Sequence, residues 1–299
     1  MTTTTSAPDT AAEGWVRRVL HALRDADTVL LLCRASLLLL LIDAREDPRT
    51  IVAAAIIVVV AFYRERVLTS PWLWLGIGTP LLIVQLSRWE GLDDHIVLTT
   101  YWFCALGLAL LSDDPRRAMA TSGRFLVAGT FVCATLWKLS SSEYLSGAMF
   151  HELLLDDNRF RLISQWFGGV SAEHLRANVA AVAAMGAPDG TAQHLALVET
   201  SRIGLIAAVM TWWTIAIEAT IAVTWLAGDR LARPAVRIGA LLAFCLTTYV
   251  ALPVTAFAGV LVTLALATTA PGDGKCLWLV GAFAFLALYS PLWSAVVSP

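Results

Sequence analysis

The chain has few charged residues. Only 15% of its 299 residues are Asp, Glu, Lys or Arg, whereas soluble globular proteins carry about 25%. Apolar residues make up 58% of the chain, against roughly 45 to 50% in soluble domains, and the mean hydropathy is +0.71. This composition excludes a soluble enzyme and an intrinsically disordered chain, and it favours a polytopic membrane protein.

Paired cysteines, periodic glycines and an excess of basic residues are also missing. The five cysteines show no Cys-x-x-Cys spacing and the 19 glycines no three-residue period, which excludes a disulfide scaffold and a collagen-like chain. We expect no metal, because the HELLL segment at His151 lacks the second histidine of a zinc-protease helix. With 21 basic and 23 acidic residues there is no basic field, so nucleic acid is not expected as a partner.

Nine apolar stretches approach the roughly 20 residues that a helix needs to cross a bilayer core. They cover residues 28–43, 51–68, 71–88, 95–112, 123–140, 202–228, 235–252, 254–270 and 275–297. The basic residues outside these stretches cluster on one side, so the positive-inside rule places the N-terminus in the cytoplasm. The sequence therefore predicts an all-α bundle of about nine transmembrane helices, a multi-pass protein of the cell membrane surrounded by the lipid bilayer.

The remaining residues are predicted to form a tail, an interfacial helix and one long loop. Residues 1–12 are typical of a disordered tail, and residues 13–26 place an apolar residue at every fourth position, as in a helix lying on the membrane surface. Residues 27–299 are predicted to form a single transmembrane domain. Its external loop, 141–201, includes a stretch at 177–185 that is too short to cross, so we expect a packed or re-entrant helix within a cap over a membrane cavity.

Four ionisable residues lie in or at the edge of predicted spans, where a charge costs about 2.5 to 3.5 kcal/mol on insertion scales. They are Arg34, His95, Lys138 and Glu218. Lys138 is one of only two lysines in the chain. A desolvated lysine, unlike arginine, can lose its proton and act as a general base. The alternative is that Lys138 extends its amine to the outer membrane interface.

His95 also has two interpretations, whereas Arg34 and Glu218 are given a structural one. His95 follows Asp94 on the side of the membrane predicted for Lys138, and its imidazole could stabilise a developing oxyanion. Alternatively, Asp94 caps the start of a helix and His95 is only a helix-end residue. Arg34 and Glu218 lie within spans, and we expect them to pair with each other in a structural role.

Three short motifs follow one another along the chain. They are DTVLLLCR at 27–34, DHIVL at 94–98 and WKLSSSEYLSG at 137–147, followed by Glu218, Asp229-Arg230, Phe244-Cys245 and Phe257. In their order and spacing, these motifs resemble the vitamin K-dependent gamma-carboxylases and their bacterial relatives, the horizontally transferred transmembrane (HTTM) proteins. The resemblance covers residues 25–270 and implies a similar plan of nine spans.

The resemblance also implies a reaction of a membrane quinol. In the carboxylases the matched lysine is understood as the base that deprotonates the quinol, so the resemblance implies Lys138 as the base and His95 as the partner of the oxyanion. The cofactor would be a reduced, vitamin K-like quinone. The candidate supporting residues are Asp94, Arg34 and Glu218. The candidate contacts of the quinol are Trp137 and Trp102.

The sequence leaves a second function open. A non-catalytic membrane factor for the maturation, export or immunity of a small secreted peptide would have that peptide, or an accessory membrane protein, as its partner. A transporter is disfavoured, because the two halves of the chain show no internal symmetry.

Overall fold

The computed structural model describes residues 27–43, 48–87, 94–185, 197–252, 254–270 and 273–297. Every regular element in these ranges is a helix, so the predicted all-α class is confirmed for the described part of the chain. The predicted tail, 1–12, and the predicted interfacial helix, 13–26, lie outside the described residues.

Fourteen α-helices and two single-turn 3-10 helices occur in the described ranges. The α-helices are α1 Thr28–Asp43, α2 Pro48–Tyr63, α3 Glu65–Leu68, α4 Pro71–Ser87, α5 Asp94–Leu110, α6 Pro115–Ser140, α7 Ser142–Leu145, α8 Ala148–Asp156, α9 Arg161–Trp166, α10 Ala172–Met185, α11 Ser201–Ala227, α12 Pro234–Ala251, α13 Thr255–Ala267 and α14 Lys275–Val297. The 3-10 helices are Asn158–Phe160 and Gly228–Arg230.

Each predicted span coincides with a helix, with two differences. The helix that covers the span predicted from residue 123 begins earlier, at Pro115. A proline is well tolerated in the first turn of a helix, where its missing N–H is not needed. The span predicted over 51–68 is interrupted, because Arg64 leaves the helical backbone at φ −123° and ψ 84°. That stretch is therefore the end of α2 followed by the separate short helix α3.

Two helical stretches in the described residues are long and apolar enough to cross a membrane, namely Pro115–Ser140 and Ser201–Arg230. Seven further apolar helical stretches in the described residues are shorter, with 10–17 residues. They are Thr28–Ile42, Ala54–Tyr63, Pro71–Ser87, Asp94–Leu110, Pro234–Tyr249, Thr255–Ala267 and Lys275–Tyr289.

The chain divides into two compact units, and the single transmembrane domain predicted over 27–299 stays a prediction. The first unit comprises residues 1–123 and 262–281, and the second comprises 124–261 and 282–299. Helices α6 and α14 each begin in the first unit and end in the second.

In the first unit, α4 and α5 approach each other closely at two glycines. A Cβ added to Gly78 would lie 2.8 Å from Sγ and 2.9 Å from the backbone nitrogen of Cys104. A Cβ added to Gly107 would lie 2.7 Å from Cγ of Leu75. The Gln85 amide joins the same two helices, donating to a carbonyl and a hydroxyl of α5 at 3.0 and 2.6 Å. Small residues at a crossing let two helix backbones come together, as is common in membranes.

In the second unit, α7 to α10 form what we call the cap, residues 142–185. Its core also includes residues from the N-terminal half of α11. The buried core residues are Tyr144, Phe150, Leu154, Leu155, Phe160, Val170, Leu175, Ile203, Ala207 and Ile215. The helix predicted at 177–185 is confirmed as the second half of α10. Asn178 of that helix exchanges two hydrogen bonds with the backbone of Val198, at 2.9 and 3.0 Å, and so attaches the end of the loop to the cap.

Asp156, at the end of α8, should make the stability of the cap depend on pH. Burial raises its pKa, and so do the charges of Glu152 and Asp157. Because the folded state holds the proton more tightly than the unfolded state, the free energy of unfolding falls as pH rises from the ordinary aspartate pKa through the raised one. We therefore expect Asp156→Asn to raise the melting temperature modestly at neutral pH and to remove this dependence.

Thermal unfolding of the purified protein over a pH series measures the effect of Asp156→Asn. Glu143→Gln is the control, since Glu143 is an exposed carboxylate of the same cap. An equal gain in the control variant, or no gain from Asp156→Asn at neutral pH, would contradict the prediction.

Candidate functional site

Lys138 and Glu218 form a buried ion pair in the second unit. The Lys138 ammonium donates to both carboxylate oxygens, at 2.7 and 2.6 Å. The two side chains are only 13% and 7% exposed. Lys138 lies in the last turn of α6 and Glu218 lies within α11, and these helices contain the two membrane-length apolar stretches of the described residues. A buried carboxylate therefore holds the amine of Lys138, and the position of this residue at the outer interface stays a prediction.

A polar face on α11 explains where Glu218 points. Thr211, Thr214 and Glu218 recur at spacings of three and four residues, which places them on one side of a helix. Thr211 and Glu218 are buried and Thr214 is partly buried, whereas Trp212 and Trp213 are exposed on the other sides. The carboxylate therefore faces the protein, where a charge requires a partner.

Tyr144 of the cap covers this pair. Its ring centre lies 5.3 Å from Nζ of Lys138, within the range of a cation–π interaction. Its hydroxyl lies 2.6 Å from Oγ1 of Thr214. Either hydroxyl can donate in this bond, and the Thr214 hydroxyl also lies within hydrogen-bond distance of two carbonyls of its own helix. Burial raises the pKa of Tyr144 to about 12; the hydrogen bond to Thr214 lowers this pKa and the charge of Glu218 raises it. The phenol therefore keeps its proton at neutral pH.

Two buried hydroxyls lie on the same helix faces as the pair. Thr135 precedes Lys138 by three residues, and Thr211 precedes Glu218 by seven, so each shares a helix face with a charged residue. Within the described ranges, the hydroxyl oxygen of neither threonine has a hydrogen-bond partner. Leaving such a group unpaired costs about 1 to 3 kcal/mol, so each hydroxyl would gain from an acceptor or donor beside it.

His95 and Asp94 belong to the first unit, whereas Lys138 and Glu218 belong to the second. His95 is partly buried and Asp94 is exposed at the start of α5. Neither side chain forms a hydrogen bond or ion pair with another described residue, so the expected cap by Asp94 is not seen there. The role of His95 as partner of Lys138 stays a prediction.

Arg34 pairs with a residue that the sequence analysis did not select. Its Nη2 donates to Oε1 of Glu65 at 3.1 Å, and the two side chains are 37% and 65% exposed. The guanidinium carbon also lies 5.4 Å from the ring centre of Phe62. The predicted Arg34–Glu218 pair is wrong, because Glu65 provides the partner of Arg34 and Lys138 occupies both oxygens of Glu218.

The two tryptophans predicted to contact a quinol have different surroundings. Trp137 is exposed, next to Lys138 in α6, and its ring centre lies 5.9 Å from that of Tyr144. Trp102 is completely buried in the first unit, where its indole N–H donates to Oγ of Ser36 at 2.8 Å. The structure therefore gives Trp102 a packing role and leaves Trp137 as the candidate contact.

Sequence reasoning missed the parts that complete this site. The sequence indicates Tyr144 only as part of a motif, and hydropathy does not single out the threonines of α6 and α11. Their signal was present in the sequence, since Thr211, Thr214 and Glu218 recur at helical spacing within an apolar helix.

A comparison with known proteins finds no matching family model, no similar curated protein and no similar solved structure. The resemblance to the gamma-carboxylases and the HTTM proteins therefore stays a prediction. The function has to be inferred from the geometry around Lys138 and Glu218.

Proposed function

We propose that the protein is a multi-pass membrane protein of nine spans, similar to the HTTM proteins, in which Lys138 and Glu218 accept a proton from a reduced quinone. The observation that carries this proposal is the amine–carboxylate contact of 2.6 Å between two nearly buried side chains. A buried charged pair on membrane-length helices is expensive to maintain, and such pairs often have a function in proton transfer.

Exposed apolar side chains support the membrane location. On α4, Trp72, Ile83 and Leu86 are 72%, 62% and 72% exposed, and Trp278 on α14 is 73% exposed. Extended apolar surface of this kind is unstable in water and stable in hydrocarbon. In the most apolar part of each of the two long helices, only 33% and 39% of the residues are buried inside the protein. Most of these residues therefore do not form a protein core.

Helix length supports nine spans. Besides the two long apolar stretches, the described residues contain seven shorter ones, and a helix of 16 residues extends roughly 24 Å, close to the thickness of about 30 Å of the bilayer core. The basic residues favour a cytoplasmic N-terminus, as the sequence predicts. Cysteine labelling from each side of the membrane tests this topology.

The pair has the chemistry of a proton acceptor. Transfer of one proton from Nζ of Lys138 to a carboxylate oxygen of Glu218 replaces two buried charges with two neutral groups. The amine that remains is a general base. When it takes up a second proton, the pair consists of an ammonium and a carboxylic acid, whose positive charge stabilises a neighbouring oxyanion.

The surroundings of the pair fit the head group of a reduced quinone. Thr135 lies one helical turn from Lys138, and its hydroxyl, which lacks a partner within the described residues, could bind one oxygen of the head group. The exposed ring of Trp137 offers an aromatic surface for stacking, next to the lysine. A reduced quinone supplies acidic hydroxyl groups and two electrons when it is bound.

Replacing Lys138 with arginine tests this proposal. Arginine keeps the charge and can keep the ion pair, but it does not give up its proton. With dioxygen as the acceptor of the two electrons, we expect Lys138→Arg to lower the rate at which a reduced vitamin K-like quinone is oxidised to the quinone by at least about a hundredfold. The rate is measured with purified protein in lipid nanodiscs.

The chain offers a matched control in its other lysine. Lys275 also pairs with a carboxylate, that of Asp273, in the first unit, and Lys275→Arg should retain the rate. An equal loss in both variants, or an unchanged rate in Lys138→Arg, would contradict Lys138 as the base. Absence of turnover by the wild-type protein would contradict the enzymatic function.

The cap favours a second candidate function, that of a non-catalytic factor for a small secreted peptide. Trp166 and Phe167, at the end of α9, are both highly exposed on the segment predicted to lie outside the cell. Aromatic residues are enriched in protein interfaces. If the second function is right, Trp166→Ser with Phe167→Ser abolishes the maturation or immunity phenotype and Lys138→Arg retains it. The enzymatic function predicts the reverse.

A further inference from the structure

Arginines are concentrated around the turn that follows α11. The turn is the 3-10 helix Gly228–Arg230, and one carboxylate, Asp229, lies within it. The arginines are Arg124 on α6, Arg230 and Arg233 in and after the turn, and Arg237 on α12. Arg230 and Arg233 lie between predicted spans and Arg124 and Arg237 at the ends of predicted spans that the positive-inside pattern places at the cytoplasmic face. They lie in the second unit and, in the topology predicted from the sequence, on the opposite side of the membrane from the Lys138–Glu218 pair.

Two of these guanidinium groups converge on Gly228. A Cβ added to this glycine would lie 2.8 Å from Nη1 of Arg124 and 3.5 Å from Nη1 of Arg237. The two nitrogens can be separated by no more than the sum of these distances. Gly228 has a φ of +62°, in the left-handed region where a side chain is disfavoured, so no side chain comes between the turn and the two arginines. Two like charges held this close repel each other unless an anion binds to both.

The two arginines differ in their partners. Arg237 is 10% exposed, and its Nη2 donates to Asp229 at 2.8 Å, although Asp229 itself is 78% exposed. Arg124 donates no hydrogen bond to any described residue, and its Nε is buried without a partner. Its recorded contact is with the ring of Phe125, whose centre lies 4.9 Å from the guanidinium carbon. If Arg124 had a structural role at the end of α11, its guanidinium would donate to the C-terminal carbonyls of that helix. The described part of the chain does not contain such hydrogen bonds.

We propose that Arg124 and Arg237, on either side of the Gly228 turn, form a binding site for a phosphate group. Guanidinium groups bind phosphate oxygens through paired N–H donors, and a phosphate between them would supply Arg124 with an acceptor and offset the repulsion. Exposed Arg230 and Arg233 add positive charge at the same turn, against the single charge of Asp229. At the cytoplasmic face the phosphate can come from an anionic phospholipid or from solution. The site does not depend on the reaction proposed at Lys138.

The melting temperature of the purified full-length protein tests this site. It is measured in detergent with increasing inorganic phosphate at constant ionic strength, and in nanodiscs of phosphatidylcholine with and without phosphatidylglycerol. We expect the melting temperature to rise with phosphate, and Arg124→Gln to raise the half-maximal phosphate concentration by at least about tenfold. A rise with phosphatidylglycerol identifies a lipid headgroup as the source, and a rise with inorganic phosphate alone identifies a soluble phosphate.

Arg176→Gln is the matched control, since it removes an exposed arginine from α10 in the same unit and should leave the response unchanged. Arg124→Lys keeps the charge without the paired donors and should give an intermediate response, which carries the test if Arg124→Gln does not fold. A wild-type protein that responds to neither probe overturns the proposal. An equal loss in Arg124→Gln and Arg176→Gln also overturns it, because the effect would then be that of net charge alone.

Discussion

Glu218→Leu is expected to lower the free energy of unfolding by about 3 to 5 kcal/mol, because it leaves the Lys138 ammonium buried without its counter-charge. Lys138→Met should cost a similar amount for the opposite reason. The double variant, Lys138→Met with Glu218→Leu, should recover most of the loss, since replacing both charges of a buried pair by apolar groups is often neutral. Unfolding of the purified protein in mixed micelles with increasing dodecyl sulfate measures all three.

The Lys275–Asp273 pair provides the comparison. These side chains are more accessible to solvent than those of the Lys138–Glu218 pair, so Lys275→Met should cost about 1 kcal/mol or less. If either single variant of the buried pair is as stable as the wild type, or if the double variant is less stable than both, the charges are not coupled as their distance of 2.6 Å indicates.

Gly78→Leu should be the next most disruptive change, with an expected cost of about 3 kcal/mol, at the upper end of the range for overpacking. The first added atom would lie 2.9 Å from the backbone nitrogen of Cys104, and a helix backbone cannot move aside as a flexible side chain can. Helices α4 and α5 would have to separate. Thermal unfolding and crosslinking between cysteines introduced into the two helices measure this.

Gly76→Leu controls for the loss of glycine itself. Gly76 lies two residues away on α4, is exposed, and has no atom within 4 Å of an added Cβ. Leucine there should be neutral or slightly stabilising, because leucine has the higher helix propensity. Equal destabilisation by both substitutions would show that the close contact at Gly78 does not determine how the two helices pack.

The helices themselves could be predicted from the sequence because apolar runs and their ends are local properties. Helix α1 begins and ends at the predicted residues, 28 and 43, and α4 and α14 match their predicted stretches within one residue. The break at Arg64 was missed because hydropathy alone does not report backbone conformation. Whether a helix crosses a membrane is a different question from where it begins and ends, since the described residues contain two apolar helical stretches of sufficient length and seven shorter ones.

The pairing of charges could not be predicted in the same way. Lys138 and Glu218 are 80 residues apart, and Arg34 and Glu65 are 31 apart. Which acid meets which base depends on the rotation of each helix about its axis and on its neighbours, and hydropathy fixes neither. Individual candidates such as Lys138 could be selected, because a rare residue type at a costly position is visible in the sequence. The covering ring of Tyr144 required the folded cap.

Tyr144 links the hydration of the Lys138–Glu218 pair to the folding of the cap. Its ring packs against Phe150 in the core of the cap, at 5.7 Å between centres, and the same ring lies over the lysine. A local opening of the cap that displaces Tyr144 would therefore admit water to the pair without unfolding the long helices. Binding to the closed cap and proton uptake at the pair are then thermodynamically coupled. A molecule that binds only the closed cap alters proton uptake at the pair, and proton uptake alters the affinity of the cap for that molecule by the same factor.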